Sequence, residues 1–211
     1  GGGLAGLLAA KKLAGTDQDV LLIERDDNLG GILRNSNKIK SIDGQNSSNW
    51  IEKTDWLLKG ANNIKILKNT TVTTYNYKDH LVAIEDKSVG APPDNSKPEL
   101  VMHKIRTKHT VLANGHIERF LSFRNNDLPG IMLAASFEKY IHRYNVVADT
   151  SPVIFTNNSS TFSLLKTLVD MDHKPKAYVD IRDPKKIEKE TLDLINNYNI
   201  PFYPKSEIEG C

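Results

Sequence analysis

The chain has 211 residues, of which 39% are hydrophobic and 26% are charged, so it can form a sizeable core as one or two domains. Its 28 basic and 26 acidic residues nearly balance at a net charge of +2, which gives no electrostatic reason to expect binding to nucleic acid or to an anionic membrane surface. No apolar run reaches the roughly 18 residues that a membrane-spanning helix requires, and a single cysteine excludes an internal disulfide framework and favours a reducing, cytoplasmic location.

The sequence opens on a glycine-rich run, residues 1–6, that leads directly into a helix-forming stretch. Gly1, Gly3 and Gly6 have the G-x-G-x-x-G spacing of a dinucleotide-binding loop. In such a loop the first glycine allows a tight turn, the second lets backbone N–H groups approach a pyrophosphate, and the third lets helix and strand pack closely. The anion then lies at the positive end of the helix dipole. A buried strand should lead into this loop and none precedes Gly1, so we expect the sequence to be a segment of a longer protein.

The next apolar run, Val20 to Ile23, has the continuous hydrophobicity of a buried parallel strand, and it ends at Glu24. A carboxylate roughly 20 residues beyond the glycines is where a dinucleotide fold binds the adenosine ribose. Glu24 would also repel a 2′-phosphate, which favours NAD or FAD over NADP, although the neighbouring Arg25 weakens that inference. A second glycine pair, Gly30 and Gly31, could bring backbone close to the same ligand or form an ordinary turn.

The middle of the chain alternates between helical and strand-like patterns. The sequence predicts a helix over 51–59, strands over 64–67, 70–75, 81–85, 100–105 and 107–113, and a flexible Pro/Gly loop over 88–94. The segment 107–113 should return to the parallel sheet and end at a turn, Asn114-Gly115, where backbone can approach the dinucleotide. The predicted cofactor-binding set is therefore Gly1, Gly3, Gly6, Glu24, Gly30, Gly31, Val72, Asn114 and Gly115, with Val72 in the β-branched segment 70–75.

We predict an α/β fold like that of FAD/NAD(P)-binding two-dinucleotide-domain proteins, with a Rossmann-type parallel sheet and an inserted antiparallel meander. A dinucleotide-binding domain should cover residues 1–150 without its first strand, the meander about residues 70–106, and the start of a second α/β unit residues 151–211. The strand-to-helix turn of that second unit, residues 156–160, contains no glycine. A second dinucleotide is therefore not expected there, and Ser159, Ser160 or Thr161 should cap the following helix.

No catalytic pattern emerges from the spacing of reactive residues. The six histidines lack metal-site spacing, and we expect His103 and His109 to lie on one strand face and to bind no metal. No G-x-S-x-G elbow occurs. Glu118 and Arg119 are interpreted as an ion pair that fixes the turn after Gly115. Catalytic residues therefore remain unassigned.

Two motifs carry a family resemblance. Residues 113–120 and 125–132 resemble the sequence A-T-G-A-I-E-R-P followed by N-N-D-x-P-G-V-M, which is typical of the α subunits of heterotetrameric sarcosine oxidase and of related amine, proline and opine dehydrogenases. The matching residues are Ala113, Gly115, Ile117, Glu118, Arg119, Asn125, Asn126, Asp127, Pro129, Gly130 and Met132. The chain departs from the pattern at Asn114, His116 and Phe120, which leaves the local loop geometry open.

The resemblance implies an oxidoreductase subunit that takes part in the oxidative demethylation of sarcosine to glycine. It implies NAD in the first loop, with FAD as the alternative, and flavins in the partner β subunit. Further small subunits would complete the hetero-oligomer, and the segment alone would be inactive. Two alternatives stay open: an FAD-binding α subunit of a proline- or opine-type dehydrogenase, and a non-catalytic nucleotide-binding scaffold.

Overall fold

The structure is a computed structural model that describes residues 1–36, 39, 41–77, 79–90 and 98–211. The chain folds into two compact units. The first comprises Gly1–Leu33 and Lys40–His116, and the second comprises Arg34–Ile39 and Ile117–Cys211. None of the described helices is both long enough and apolar enough to span a membrane.

The first unit combines a short parallel sheet, flanking helices and an antiparallel sheet. In chain order its elements are α1 (Leu4–Leu13), β1 (Val20–Ile23), the single-turn α2 (Ile32–Asn35) that runs into the second unit, β2 (Ser41–Ile42), β3 (Gln45–Asn46), α3 (Ser47–Gly60), β4 (Ile64–Leu67), β5 (Thr70–Asn76), β6 (His80–Asp86) and β7 (Leu100–Arg106).

The parallel part of the first unit follows the apolar pattern of the sequence. β1 and β4 pair in parallel with Val20 opposite Ile64, which confirms both predicted strands. α3 contains the whole predicted helix, and the side chain of Asn46 caps it by accepting from the Asn49 N–H at 2.9 Å. Buried apolar side chains form the core of this part: Leu7, Ala10, Leu22, Leu29, Leu33, Trp50, Ile51, Leu58 and Leu67.

The predicted meander is confirmed as a three-stranded antiparallel sheet of order β5-β6-β7. The register between β5 and β6 shifts between Val72 and Thr74, as at a β-bulge. In β6, Leu81, Ala83 and Glu85 are buried and alternate with less buried residues, so one face of the sheet is covered. Of the predicted loop 88–94, residues 91–94 lie outside the described residues.

The predicted strand over 107–113 is wrong, because the structure assigns no strand to these residues. Val111 and Leu112 are 68% and 77% exposed, and no strand of the described chain pairs with this segment. A parallel strand needs a hydrogen-bonded neighbour and cover on both faces. Apolar, β-branched residues indicate that a segment suits a sheet, but they do not supply the neighbour.

The second unit is a parallel α/β arrangement. Its elements are α4 (Ala134–Tyr144), β8 (Val153–Thr156), α5 (Phe162–Asp170), β9 (Ala177–Asp180), α6 (Lys189–Asn197) and β10 (Phe202–Pro204), with single 3-10 turns at Ser159–Thr161 and Pro184–Lys186. The strands form a parallel sheet of order β10-β9-β8. Its core is apolar and consists of Phe137, Ile141, Ile154, Leu164, Leu165, Leu168, Val169, Tyr178, Ile195 and Ile200.

A buried polar cluster joins Ser36 to the rest of the second unit. The Ser36 hydroxyl donates to Glu138 Oε1 at 3.2 Å and lies 2.8 Å from the Ser163 hydroxyl, which also donates to Glu138. These hydrogen bonds explain why Ser36 belongs with residues more than a hundred positions away in the chain. The first unit ends at His116, whereas the predicted domain boundary lies at residue 150. A compact unit need not be a separate domain, so that boundary stays a prediction.

Candidate dinucleotide-binding site

The glycine run forms the amino end of α1, as the sequence predicts. Gly3 is the N-cap residue, with φ −75° and ψ −172°, and its carbonyl accepts from the Leu7 N–H at 2.9 Å. No side chain caps this end of α1, and its first turn contains no acidic residue. The first N–H groups of a helix have no partner within the helix. Together with the helix dipole they make this end of α1 suitable for an anion.

Gly1 and Gly6 are glycines because the backbone around them is tightly packed. A Cβ atom at Gly6 would lie 1.8 Å from the carbonyl oxygen of Gly1. A Cβ atom at Gly1 would lie 2.2 Å from the carbonyl oxygen of Ala113 and 3.4 Å from the Cα atom of Asn114. The loop therefore folds back on itself and against residues 113–114, so the start of the family motif at residues 113–120 lies next to the glycine run.

Gly3 differs from these two because, apart from its chain neighbours, no atom of the described residues lies within 4 Å of a Cβ atom placed on it. Its backbone conformation is extended and open to any residue. Neither the fold nor the backbone therefore requires glycine at this position. Free space beside an uncapped helix end is what a bound pyrophosphate would occupy.

The second glycine pair lies directly on the first loop. The Gly30 N–H donates to the Gly2 carbonyl at 2.8 Å. A Cβ atom on Gly31 would lie 3.1 Å from the Cα atom of Gly3, and both Gly30 and Gly31 have positive φ, at 118° and 52°. Any larger residue at Gly31 would thus be strained and would press on the loop.

Glu24 contacts the glycine loop through its carboxylate. Oε2 accepts from the Gly2 N–H at 2.5 Å, and Oε1 accepts from the Asp26 N–H at 2.8 Å. The backbone of Glu24 is held on both sides, donating to Leu67 and accepting from Thr70. The carboxylate therefore positions the loop, and its predicted contact with the ribose stays a prediction.

Sequence reasoning missed Gly2, although both its N–H and its carbonyl fix the loop. A Cβ atom there would lie 2.5 Å from Leu29 Cδ2 and 3.0 Å from Glu24 Oε2. The signal in the sequence was the run of three consecutive glycines. The G-x-G-x-x-G motif explains Gly1 and Gly3 but gives no role to Gly2 between them. The buried Leu29, 2% exposed, is the other missed contact.

The remaining predicted site residues lie less close to the loop. Val72 is on β5 and 39% exposed, two residues after Thr70, which bonds to Glu24. Gly115 is exposed, with φ 72° and open space around it. Among the described residues, no hydrogen bond joins Val72 or Gly115 to residues 1–6. Their part in cofactor binding stays a prediction.

The prediction that His103 and His109 lie on one strand face is wrong. His103 lies on β7, where its Nε2 is 2.8 Å from Glu85 Oε2. His109 lies in the segment that forms no strand, so the two do not share a strand face. The pKa of the Glu85 carboxyl is lowered mainly by its hydrogen bond from Lys87 and to a smaller extent by the one from His103. The described part of the chain contains no group of three or more His, Cys, Asp or Glu side chains arranged to hold a metal.

Two predicted roles outside the loop are corrected. Glu118 accepts from the Ala135 N–H at 2.8 Å, and no ion pair with Arg119 occurs among the described residues. A carboxylate next to the first turn of α4 is stabilised by that helix end. In the second unit, Asn158 Oδ1 accepts from the Ser160 N–H at 2.8 Å, whereas the N-cap residue of α5, Thr161, makes no side-chain cap. Asn158 therefore caps the 3-10 turn Ser159–Thr161 that precedes α5.

Comparison with known proteins agrees with this geometry. Residues 1–52 match the family model described as an NAD(P)-binding Rossmann-like domain. The chain is 36% identical over 171 residues to sarcosine oxidase subunit alpha of Corynebacterium sp. (strain P-1), covering 80% of this chain and 18% of that protein. It is 30% identical over 202 residues to sarcosine oxidase subunit alpha of Rhizobium meliloti (strain 1021), covering 91% of this chain and 20% of that protein. The chain thus spans about a fifth of these relatives.

Solved structures confirm the fold class. L-proline dehydrogenase from P. horikoshii superposes with a TM-score of 0.59 at 20% identity, covering 97% of this chain and 34% of that one. The water-forming NADH oxidase from Lactobacillus brevis superposes with a TM-score of 0.61 at 11% identity, covering 97% of this chain and 45% of that one. At these identities the likeness establishes the fold alone. In sequence, the chain is similar to sarcosine oxidase subunit alpha, and its first 52 residues match a Rossmann-like NAD(P)-binding domain.

Proposed function

We propose that this chain is the dinucleotide-binding part of a multi-subunit amine oxidoreductase, a cytoplasmic sarcosine oxidase that demethylates sarcosine oxidatively to glycine. The observation that supports it most directly is the free space at Gly3 beside the uncapped end of α1, in a loop whose other glycines are required by packing. The relatives named sarcosine oxidase subunit alpha support the reaction class.

The proposed ligand of the loop is NAD, bound without taking part in amine oxidation here. The N–H groups at the start of α1 would bind the pyrophosphate, and the Glu24 carboxylate would disfavour a 2′-phosphate by charge repulsion. Arg25 does not cancel that charge, since it is exposed and its Nε lies 3.7 Å from Asp26 Oδ1. FAD is the alternative ligand. Its isoalloxazine would supply redox chemistry, whereas bound NAD would leave that chemistry to flavins in a partner β subunit.

One purification distinguishes these ligands. The protein is isolated, its absorbance is recorded, and the released cofactor is identified by chromatography. NAD without visible absorbance supports the proposal, FAD supports the dehydrogenase alternative, and no dinucleotide contradicts both. The same preparation is then assayed for sarcosine-dependent oxygen uptake with and without the β subunit and the small subunits. We expect turnover only in the assembled complex; turnover by this chain alone would contradict the partner-dependent function.

A further inference from the structure

The second unit has its own place where a ligand would be expected. In open parallel sheets, ligands bind in the crevice beyond the carboxyl ends of the strands. In this unit that position is formed by the turn after β8, residues 157–161, and by residues 180–182 at the end of β9. The side chains there are already bonded to one another.

The turn after β8 offers few free donors. The Asn158 N–H donates to Thr156 Oγ1 at 3.2 Å, and the Ser160 N–H donates to Asn158 Oδ1 at 2.8 Å. A phosphate-binding turn keeps such N–H groups available for the anion and uses glycine to let it approach. Here side chains take both N–H groups.

The acid at the end of β9 is also engaged. The Asp180 side chain is fully buried, and its carboxylate accepts from Arg182 Nη2 at 2.8 Å and from Arg182 Nε at 3.1 Å. The Arg182 backbone N–H donates to the same carboxylate at 2.8 Å. In a dinucleotide fold the acid at this strand end binds the ribose hydroxyls. Asp180 binds Arg182 instead.

Arg182 connects three elements of this edge. Its Nη1 donates to Ser159 Oγ at 3.0 Å, in the turn after β8, and lies 3.8 Å from Glu188 Oε2, at the start of α6. Ser159 also donates to Glu188. The guanidinium side chain is only 17% exposed. The Arg182 guanidinium lies between the carboxylates of Asp180 and Glu188, so its charge is already paired and is not available to a pyrophosphate.

We propose that Arg182 seals the ligand crevice of the second unit, so that this parallel sheet accepts no dinucleotide and is held closed by the Asp180–Arg182–Ser159–Glu188 network. The seal makes Arg182 a specificity-determining residue: it excludes nicotinamide and flavin dinucleotides from the second sheet and leaves the loop of residues 1–6 as the place where the chain binds one. The inference rests on the proposed function only in assigning dinucleotide binding to that loop.

The number of dinucleotide-binding sites per chain tests whether the second sheet excludes these ligands. NADH and ADP-ribose are titrated into the cofactor-free protein and its Gly3→Val variant by calorimetry. Gly3→Ala is a second variant, because a Cβ atom at Gly3 would touch none of the described residues beyond its chain neighbours. We expect one site per chain in the parent protein and none in Gly3→Val. Saturable binding that survives in Gly3→Val and is lost when Arg182→Ala is added would overturn the seal. If the parent protein binds neither NADH nor ADP-ribose, the proposed function is wrong. The role of Arg182 is then tested by the amide-exchange measurements described next.

Stability and amide exchange test the network itself. Arg182→Gln leaves the buried Asp180 carboxylate without its cation, so amide exchange of residues 157–161 should be on the order of a hundredfold faster. The exposed Arg106, which pairs with Asp79 at 3.0 Å, provides the matched control Arg106→Gln, with little change expected. Asp180→Asn combined with Arg182→Gln removes both charges and should recover most of the protection. Equal effects of Arg182→Gln and Arg106→Gln, or no recovery in the double variant, would refute the network.

Discussion

Replacing Gly3 separates ligand binding from folding more cleanly than replacing any other glycine of the loop. Gly3 has an extended backbone, and a Cβ atom there would have no atom of the described chain within 4 Å other than those of its chain neighbours. Gly3→Val should therefore change the free energy of unfolding by less than about 1 kcal/mol, and it could stabilise the chain by restricting its unfolded state. The valine side chain would instead occupy the space of the pyrophosphate.

The expected loss of affinity follows from the hydrogen bonds displaced. A hydrogen bond to a charged group contributes about 1.5–3 kcal/mol. Losing two at the lower value corresponds to about 3 kcal/mol, or roughly a hundredfold increase in Kd. Calorimetric titration of the cofactor-free protein with NAD measures the Kd, and urea denaturation measures the free energy of unfolding.

Two glycines provide matched controls. Gly6→Ala places a Cβ atom 1.8 Å from the Gly1 carbonyl oxygen, so it should destabilise the fold by about 1–3 kcal/mol. Gly60→Ala, at the end of α3 with nothing within 4 Å, should leave binding intact and stability equal or higher by up to about 1 kcal/mol. A Gly3→Val protein that is folded and binds NAD with unchanged Kd would refute the assignment of this loop.

Three further predictions concern single side chains. Glu24→Ala should weaken NAD by about 1–3 kcal/mol in a binding titration, and equal binding of NADP and NAD by the parent protein would contradict the proposed role. Burial lowers the pKa of His142 below its ordinary 6.5, so the unfolded chain takes up the proton first and stability should fall as the pH falls below about 6.5. Melting temperatures at pH 7.5 and 5.5 measure this, and the difference should shrink in His142→Gln but not in the exposed control His116→Gln; equal shrinkage in both would contradict it. Glu118→Ala should destabilise α4 by about 0.5–2 kcal/mol through the lost bond to Ala135, seen by urea denaturation, and an unchanged midpoint would show that the bond contributes nothing.

The sequence by itself determined the features that depend on neighbouring residues. The spacing of the glycines predicts the turn into α1 because only a backbone without Cβ atoms can pack that closely, and the structure confirms the close approaches at Gly1 and Gly6. The apolar run Val20–Ile23 predicts β1, and the alternating segments predict the meander. Each of these patterns is local, since period and turn chemistry act within a few residues.

The tertiary structure alone decided which of several similar groups becomes a partner. The sequence contains many carboxylates, and nothing local indicates that Glu24 binds the Gly2 N–H, that Glu118 binds Ala135, or that Asp180 is buried against Arg182. The same holds for the segment 107–113, whose residues suit a strand but pair with none of the strands in the described part of the chain. A hydrogen-bond partner or a neighbouring strand is supplied by chain far away in sequence, so its presence depends on packing and not on the propensity of the residues themselves.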